Sequence, residues 1–275
     1  MIHIVTAVHN RYQITEKFVK NLMAQTYKDI HLILVDDGST DGTAEMVCSL
    51  LPNTQVITGN GNLWWGGALH EAYLWIKANL SDSPDDFVMF ANDDTQFPAD
   101  YIERAIAILT DRQKTLLTGC GISCHTGKQI DGAVYFDFST LQAKFENREH
   151  GNCASTRSLF FRARDFLEIG GFHPILLPHY ASDYEWTIRA CQKYGYTVFC
   201  DSTLQYFADE TTTGDNNYDT LTRKKLFSKR SNSNPFYKFV FIFMVTPPKY
   251  LLKAIFIQIG RYFKKINIIL KIIKR

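Results

Sequence analysis

At 275 residues, with 45% hydrophobic and 21% charged side chains, the chain can bury one substantial core, and its composition excludes a disordered protein. The net charge of +2 conceals a division: the last acidic residue is Asp219, and residues 220–275 hold 14 of the 30 lysines and arginines. Residues 1–219 carry 16 basic and 28 acidic side chains, so two regions with different partners are expected. The six cysteines, Cys48, Cys120, Cys124, Cys153, Cys191 and Cys200, form no CxxC pair and have no histidine at zinc-site spacing, which reads as reduced core thiols.

The opening MIHIVTAVHN is a strand-like apolar run with no basic leader or small-residue cleavage site, so a cytoplasmic enzyme without a signal peptide is expected. Strand and helix signals then alternate. Ile2 to Val8 is apolar, a helix runs to Gln25, Ile30 to Val35 is apolar, and a capped helix spans Thr40 to Leu51. Thr54 to Thr58, a helix around Gly67 to Leu80, and Phe87 to Ala91 continue a parallel β-α-β pattern. Three strand ends are polar or glycine-rich, Asp36 to Gly42, Gly59 to Gly67 and Asn92 to Thr95, and such ends are where open α/β sheets bind ligands. A helix after Pro98 and a strand at Leu116 to Cys120 follow, then an irregular stretch to Gly170. A helix from Ser182 to Tyr194 and a strand from Tyr196 to Cys200 come last.

The tail reads FYKFVFIFMV, two prolines, then KYLLKAIFIQIGRYFKKINIILKIIKR. The first run is too short to span a bilayer and is interrupted by Lys238. Beyond the prolines, Lys249, Lys253, Arg261, Lys264, Lys265, Lys271, Lys274 and Arg275 fall on one half of a helical wheel, which reads as a basic amphipathic helix on an anionic membrane. The alternative is that its apolar face packs on the protein's own core.

Asn92, Asp93 and Asp94 follow a buried strand, where carboxylates suit a hard divalent cation bridging phosphate oxygens. Helix capping is the other use of such a turn. In LVDDGSTDGT, Leu34 to Thr43, a carboxylate can accept the imide N–H of a uracil or thymine, while Ser39, Thr40 or Asp41 serve as caps. Trp64 and Trp65 can stack on a sugar or base, with a core role equally open to one of them. Gly66 and Gly67 can let the backbone approach a ligand. The G-x-G here lacks the third glycine of a dinucleotide fingerprint and does not follow the first strand, which argues against a dehydrogenase.

Taken together, IVTAVHNR, QTY, VDDGSTDGT, GNGNLWWGGALHEA, FANDDT, LFFRARDFLEIGGF and SDYEWTIRACQKYGY resemble the family 2 glycosyltransferases over about residues 2–207. The resemblance implies a GT-A type nucleotide-binding fold of the α/β class, with a mixed, mainly parallel central sheet flanked by helices, to which the tail's own pattern adds C-terminal amphipathic helices. It implies a nucleotide-sugar-binding half at residues 1–98 and an acceptor-binding half at 99–219; the tail at 220–275 lies outside the resemblance and is read from its own residues as basic, amphipathic and membrane-associating. Ala7, His9, Arg11, Asp37, Asn62, Trp65, Gly66, Asn92 and Asp93 would bind the donor. Asp94, with Asp93 shared with the ribose, would hold Mn²⁺ or Mg²⁺. Many members place a histidine after the last strand to complete the metal shell; this chain reads YFADETTTG, so Asp209 is the expected substitute, with Glu210 beside it.

Asp183 matches the catalytic base, and Glu185, Trp186 and His179 would meet the acceptor. The expected reaction is inverting transfer of a sugar, L-rhamnose from a dTDP donor by resemblance of the Gly59 to Gly67 loop, onto a lipid-linked or surface-polysaccharide acceptor. The expected site of action is the inner face of the cell membrane, with no nucleic-acid partner and homo-oligomerisation left open. A UDP-hexose, UDP-N-acetylhexosamine or UDP-galactofuranose transferase is the competing reading within the class. An inactive, membrane-tethered nucleotide- or glycan-binding module competes from outside it, because Asn92 is neutral and the histidine is missing.

Overall fold

The computed structural model describes residues 1–145, 149–209, 211, 228, 231 and 234–273, with side chains through Phe263. In chain order the elements are β1 (Ile2–Val8), α1 (Tyr12–Met23), β2 (Ile30–Asp36), α2 (Thr43–Leu50), β3 (Gln55–Thr58), α3 (Trp64–Asn79), β4 (Phe87–Ala91), β5 (Thr95–Gln96) and α4 (Tyr101–Thr110). There follow β6 (Thr115–Ser123), β7 (Gln129–Asp131), β8 (Tyr135–Asp137), β9 (Gln142–Lys144), β10 (His150–Gly151), β11 (Ser158–Arg162), α5 (Ala163–Ile169), α6 (Ser182–Tyr194), β12 (Thr197–Ala208), α7 (Pro235–Val245) and α8 (Pro248–Ile273).

The central sheet runs β10-β12-β6-β11-β4-β1-β2-β3, with β5 added to β12 and β7 to β6. Strands β3, β2, β1 and β4 are mutually parallel, whereas β11 lies antiparallel between β4 and β6. Successive residues of β1 face opposite sides, so Ile4 joins one core and Val5 the other. Helices α1, α2 and α4 cover the first side through Phe18, Val19, Met46, Val47, Ile102 and Ala105. Helices α3, α5 and α6 cover the second through Leu69, Ile76, Phe166 and Trp186. Burial on both faces is why β1, β2 and β4 read as continuous apolar runs instead of alternating ones.

Several elements differ from the sequence expectation; β12 runs on to Ala208, eight residues past the expected end at Cys200, and α2 begins at Thr43 instead of Thr40. The segment SLFFR forms β11 inside the stretch expected to be irregular, because Leu159, Phe160 and Phe161 are all buried between two strands and two helix layers. Helix α3 starts at Trp64, three residues before the expected onset, and Trp64 sits in the left-handed region at φ 59°. Gly66 and Gly67 lower the helical signal there, and tertiary contacts override it.

The tail packs part of its apolar surface on the protein's own core. Phe241, Ile242 and Val245 of α7 and Ala254 of α8 are buried with Val134, Phe136, Leu177 and Ile188 in a third core. Arg261 Nη2 donates to the carbonyls of Thr140 and Leu141, both at 3.1 Å, so this cation faces the protein instead of a polar outer half. On the opposite side, Leu252, Phe256, Ile259 and Phe263 form an exposed apolar stripe at i, i+4, i+7 and i+11, with Leu252 and Phe256 more than 70% exposed. No helix among the described residues is long and apolar enough to cross a membrane. The expected boundary at 219/220, Glu210, and the side chains of Lys264, Lys265, Lys271, Lys274 and Arg275 lie outside the described residues.

Candidate active site

A cleft of about 780 Å³ opens at the carboxyl ends of β1, β2 and β4, where the parallel strands stop and their loops diverge. Its nucleotide side is built by three interlocked loops. Ala7, His9 and Arg11 of the β1–α1 loop line it. His9 Nδ1 donates to the Asp37 carbonyl at 2.6 Å, and the Asn10 side-chain oxygen accepts the Thr40 N–H at 2.8 Å. The Asp37 carboxylate holds the next loop in place: Oδ1 accepts the Gly61 N–H at 2.7 Å, and Oδ2 accepts those of Leu63 and Trp64 at 2.9 and 3.1 Å. A Cβ on Gly59 would lie 2.6 Å from Asp37 Oδ1, so this close approach requires glycine. With three donors already on a group that offers about four acceptor positions, Asp37 keeps room for one further hydrogen bond.

The acidic turn follows β4. Asn92, Asp93 and Asp94 all line the cleft. Asp93 is buried, and its Oδ2 accepts from Arg11 Nε at 2.8 Å and Thr15 Oγ1 at 2.9 Å. Burial raises its pKa; Arg11 and the Thr15 hydroxyl pull it back, and the neighbouring Asp94 adds to the rise. Arg11 Nη2 lies 3.5 Å from Asp94, so one guanidinium serves both carboxylates.

Across the cleft, α6 begins after Ala181, which lies in the left-handed region at φ 67°. This bend turns the first helical turn toward the ligand space, and Asp183 lines the cleft with its Oδ1 accepting the Tyr184 N–H at 2.8 Å. Enclosure by protein pushes the Asp183 carboxyl up to about 6; Asp131 adds to the rise, whereas the Tyr184 N–H and Arg157 oppose it. A carboxyl poised there can take a proton near neutral pH. Arg157 also lines the cleft; burial works against its charge, but Asp131, Tyr206, Asp94 and Asp183 around it hold the guanidinium protonated more firmly than usual. Asp131 is itself fixed by the hydroxyls of Ser155 and Tyr206, the latter at 2.7 Å. The cleft thus joins an anion-rich floor to two arginines, Arg11 and Arg157, that can meet phosphate oxygens.

The sequence profile of Glycosyl transferase family 2 matches residues 3–165, more than half of the chain. The chain belongs to this family. A curated relative, the N-acetylglucosaminyl-diphospho-decaprenol L-rhamnosyltransferase of Mycobacterium tuberculosis, is 34% identical over 86 residues. That alignment covers 30% of this chain and only 28% of the relative's length. Among solved structures, the mannosyltransferase PcManGT from Pyrobaculum calidifontis, in complex with GDP-Man and Mn²⁺, superposes with a TM-score of 0.62 at 15% identity, covering 93% of this chain and 69% of that one. GalNAc-T7 with UDP, GalNAc and Mn²⁺ gives 0.63 at 11% identity, covering 87% and 47%. TarS of S. aureus gives 0.61 at 15% identity, covering 95% and 54%. The fold is that of the GT-A glycosyltransferases, as the sequence resemblance implies.

Within this family 2 glycosyltransferase chain, the structure brings Ala7, His9, Arg11, Asp37, Trp65, Asn92, Asp93, Asp94, His179 and Asp183 to one cleft. Five expected residues need correction. Trp186 is fully buried among Phe90, Phe161, Phe166 and Phe172, with Nε1 donating to the Gly170 carbonyl at 2.7 Å, so it cannot touch an acceptor. Glu185 lies outside the cleft lining, bound to Arg189 Nε at 2.8 Å. Both lie past the first residues of α6, and the helical rotation carries them to its inner side. Gly66 serves internal packing: its N–H donates to the Pro178 carbonyl at 2.9 Å, and a Cβ there would lie 2.5 Å from the Leu177 carbonyl oxygen. Asn62 is exposed and lies outside the cleft lining, its N–H turned to the Asn60 side chain. Asp209 also lies outside that lining: its Oδ1 accepts from His125 Nε2 at 2.8 Å and from the Thr211 N–H at 2.9 Å.

Asp131 and Arg157 were not singled out from the sequence. Each stands alone in a stretch without helical or strand periodicity, and only the closing of β7 on β6 and β11 on β4 puts them opposite Asp183. The available signal was the charge of Arg157 directly before the apolar run SLFFR.

Proposed function

We propose that the protein is an inverting, metal-dependent glycosyltransferase that takes a sugar from a nucleoside-diphosphate donor. The observation that carries this reading is that Asp183 lines the same cleft as Arg11, Asp37 and Asp94 in a chain of this family. In the proposed step an acceptor hydroxyl oxygen bonds to the anomeric carbon as its proton passes to Asp183. The anomeric carbon–phosphate oxygen bond breaks, and its electron pair leaves with the nucleoside diphosphate. Attack opposite the leaving group inverts the anomeric centre.

Asp94 is the carboxylate this reading assigns to Mn²⁺ or Mg²⁺, with Asn92 a neutral neighbour, and Asp93, engaged with Arg11 and Thr15, braces the turn. A divalent cation bound there supplies charge neutralisation for the departing diphosphate. Arg11 and Arg157 add fixed positive charge on either side. The Mn²⁺ complexes of the two structural neighbours support this assignment.

For the donor we favour a dTDP-sugar, dTDP-L-rhamnose first, and for the acceptor a lipid-linked saccharide; the mycobacterial relative, an L-rhamnosyltransferase whose acceptor is N-acetylglucosaminyl-diphospho-decaprenol, supports the sugar and the acceptor. The exposed stripe of α8, with Lys249 and Lys253 beside it, supports residence on the cytoplasmic membrane face, where such an acceptor is embedded. The test is incubation with Mn²⁺ or Mg²⁺, a panel of dTDP- and UDP-sugars and a diphospholipid-linked acceptor. Rhamnosyl transfer from the dTDP donor is expected. Transfer from a UDP-sugar alone would replace the donor assignment, and nucleotide binding without transfer or hydrolysis would make the protein an inert binding module.

A further inference from the structure

The sequence reading treated all six cysteines as core thiols, and this fits Cys120, Cys153 and Cys200, which are buried. It does not fit Cys124, which is exposed and outside any disulfide. Cys124 and His125 follow the end of β6, and Asp209 follows the end of β12, two strands that pair in parallel. One thiol, one imidazole nitrogen and one carboxylate oxygen of these residues lie within 4.8 Å of one another. Tetrahedral zinc ligation places donor atoms about 3.3–3.9 Å apart, so small side-chain rotations suffice to bring the three onto one ion.

The backbone beneath them is fixed. Ser123 Oγ accepts the N–H groups of His125 and Thr126 at 3.2 and 3.0 Å, and the Cys124 N–H donates to the Ala208 carbonyl at 3.1 Å. The donor set differs in kind from that of the cleft. Sulfur with imidazole favours Zn²⁺ or Co²⁺, whereas the carboxylate and amide oxygens of the acidic turn favour Mn²⁺ or Mg²⁺.

We propose that Cys124, His125 and Asp209 form a second metal site, selective for Zn²⁺-like ions and distinct from the Asp94 site. Binding releases the thiol proton, leaves the imidazole neutral with its proton on the nitrogen away from the metal, and keeps the exposed side open to a water as fourth ligand. The site borders the active cleft through the β5–β12 pairing, which the Asp209 N–H extends to the Asp94 carbonyl at 3.3 Å, so metal here stiffens the acidic turn.

The test is titration of the reduced, metal-free full-length protein with Co²⁺, reading the thiolate-to-cobalt charge-transfer band. A saturable band is expected that is lost in Cys124→Ser, weakened in apparent affinity by about tenfold or more in His125→Ala, and retained in Asp94→Asn. Circular dichroism checks that each variant is folded. Absence of the band at saturating Co²⁺ overturns the proposal, as does an unchanged band in Cys124→Ser, which would assign the thiolate to another cysteine. Loss of the band in Asp94→Asn would make the two sites one.

Discussion

Arg11 Nε donates to Asp93 Oδ2 at 2.8 Å, and this buried pair joins the loop after β1 to the acidic turn after β4, which are 82 residues apart in sequence. The pair explains why three carboxylates and amides in a row do not simply form a solvated turn. One is neutralised internally, and its neighbour Asp94 is thereby held at the cleft.

Removing Arg11 leaves Asp93 buried without its cation. The folded-state pKa of Asp93 is already above its unfolded value of 3.8, so its contribution to stability falls as pH rises through the folded value. Arg11→Ala raises that folded value further. The variant is therefore expected to lose little stability near about pH 4 and ~3 kcal/mol near about pH 8, measured by urea unfolding at both pH values. An equal loss at both would show that the pair contributes through packing alone.

Asp37 accepts three backbone N–H groups from the loop that starts α3. Charge-assisted bonds of this kind contribute about 1.5–3 kcal/mol each, and they do not add fully. Asp37→Ala is expected to cost ~3 kcal/mol in unfolding free energy and to weaken nucleotide affinity, because Trp64 and Trp65 move with the loop. Asp37→Asn, which keeps one acceptor oxygen, should fall between. If calorimetry shows that nucleotide affinity drops while stability is untouched, Asp37 acts on the base and not on the loop.

The parallel half of the fold was legible because each strand is an apolar run closed by polar residues, glycine or acids, and β1, β2 and β4 appear within a residue of the expected bounds. Asp37, Asp94 and Asp183 stand out because each follows a strand or starts a helix, whereas Arg11 was legible only through the family resemblance. What escaped was set by long-range packing. Asp131 and Arg157 acquire meaning only when the antiparallel strands β7 and β11 close, and Glu185 and Trp186 lose theirs when α6 turns them inward. The tail was half legible: its periodicity showed an amphipathic helix but could not separate the face that meets the protein from the face that does not.

Asp183 carries two linked expectations. As a base with a carboxyl near 6, it is active when ionised, so transfer should fall as pH drops through about 6. Its folded pKa is raised above the unfolded 3.8, so the native state binds the extra proton between these values and stability falls as pH rises through about 6. Asp183→Asn removes that cost. It is expected to abolish transfer, preserve donor binding and raise stability by up to ~3 kcal/mol at about pH 8, the order set by a displacement of this size. A variant that loses activity and stability together at that pH would instead make Asp183 a structural acceptor for the Tyr184 N–H.

The tail calls for point substitution, not deletion. Removing residues 236–275 would strip Phe241, Ile242, Val245 and Ala254 from the third core and expose Val134, Phe136, Leu177 and Ile188, so loss of membrane binding could not be separated from unfolding. The stripe of Leu252, Phe256, Ile259 and Phe263 faces away from that core, and Phe256 is 72% exposed. Phe256→Ser with Leu252→Ser should therefore leave the unfolding midpoint within ~0.5 kcal/mol of the parent, as surface changes do. Full burial of two such side chains in a bilayer interface contributes about 1.5–3 kcal/mol each, so sedimentation with anionic liposomes should weaken by about a hundredfold or more. Unchanged sedimentation would place the membrane contact elsewhere, and a large loss of stability would return the stripe to the protein's own packing.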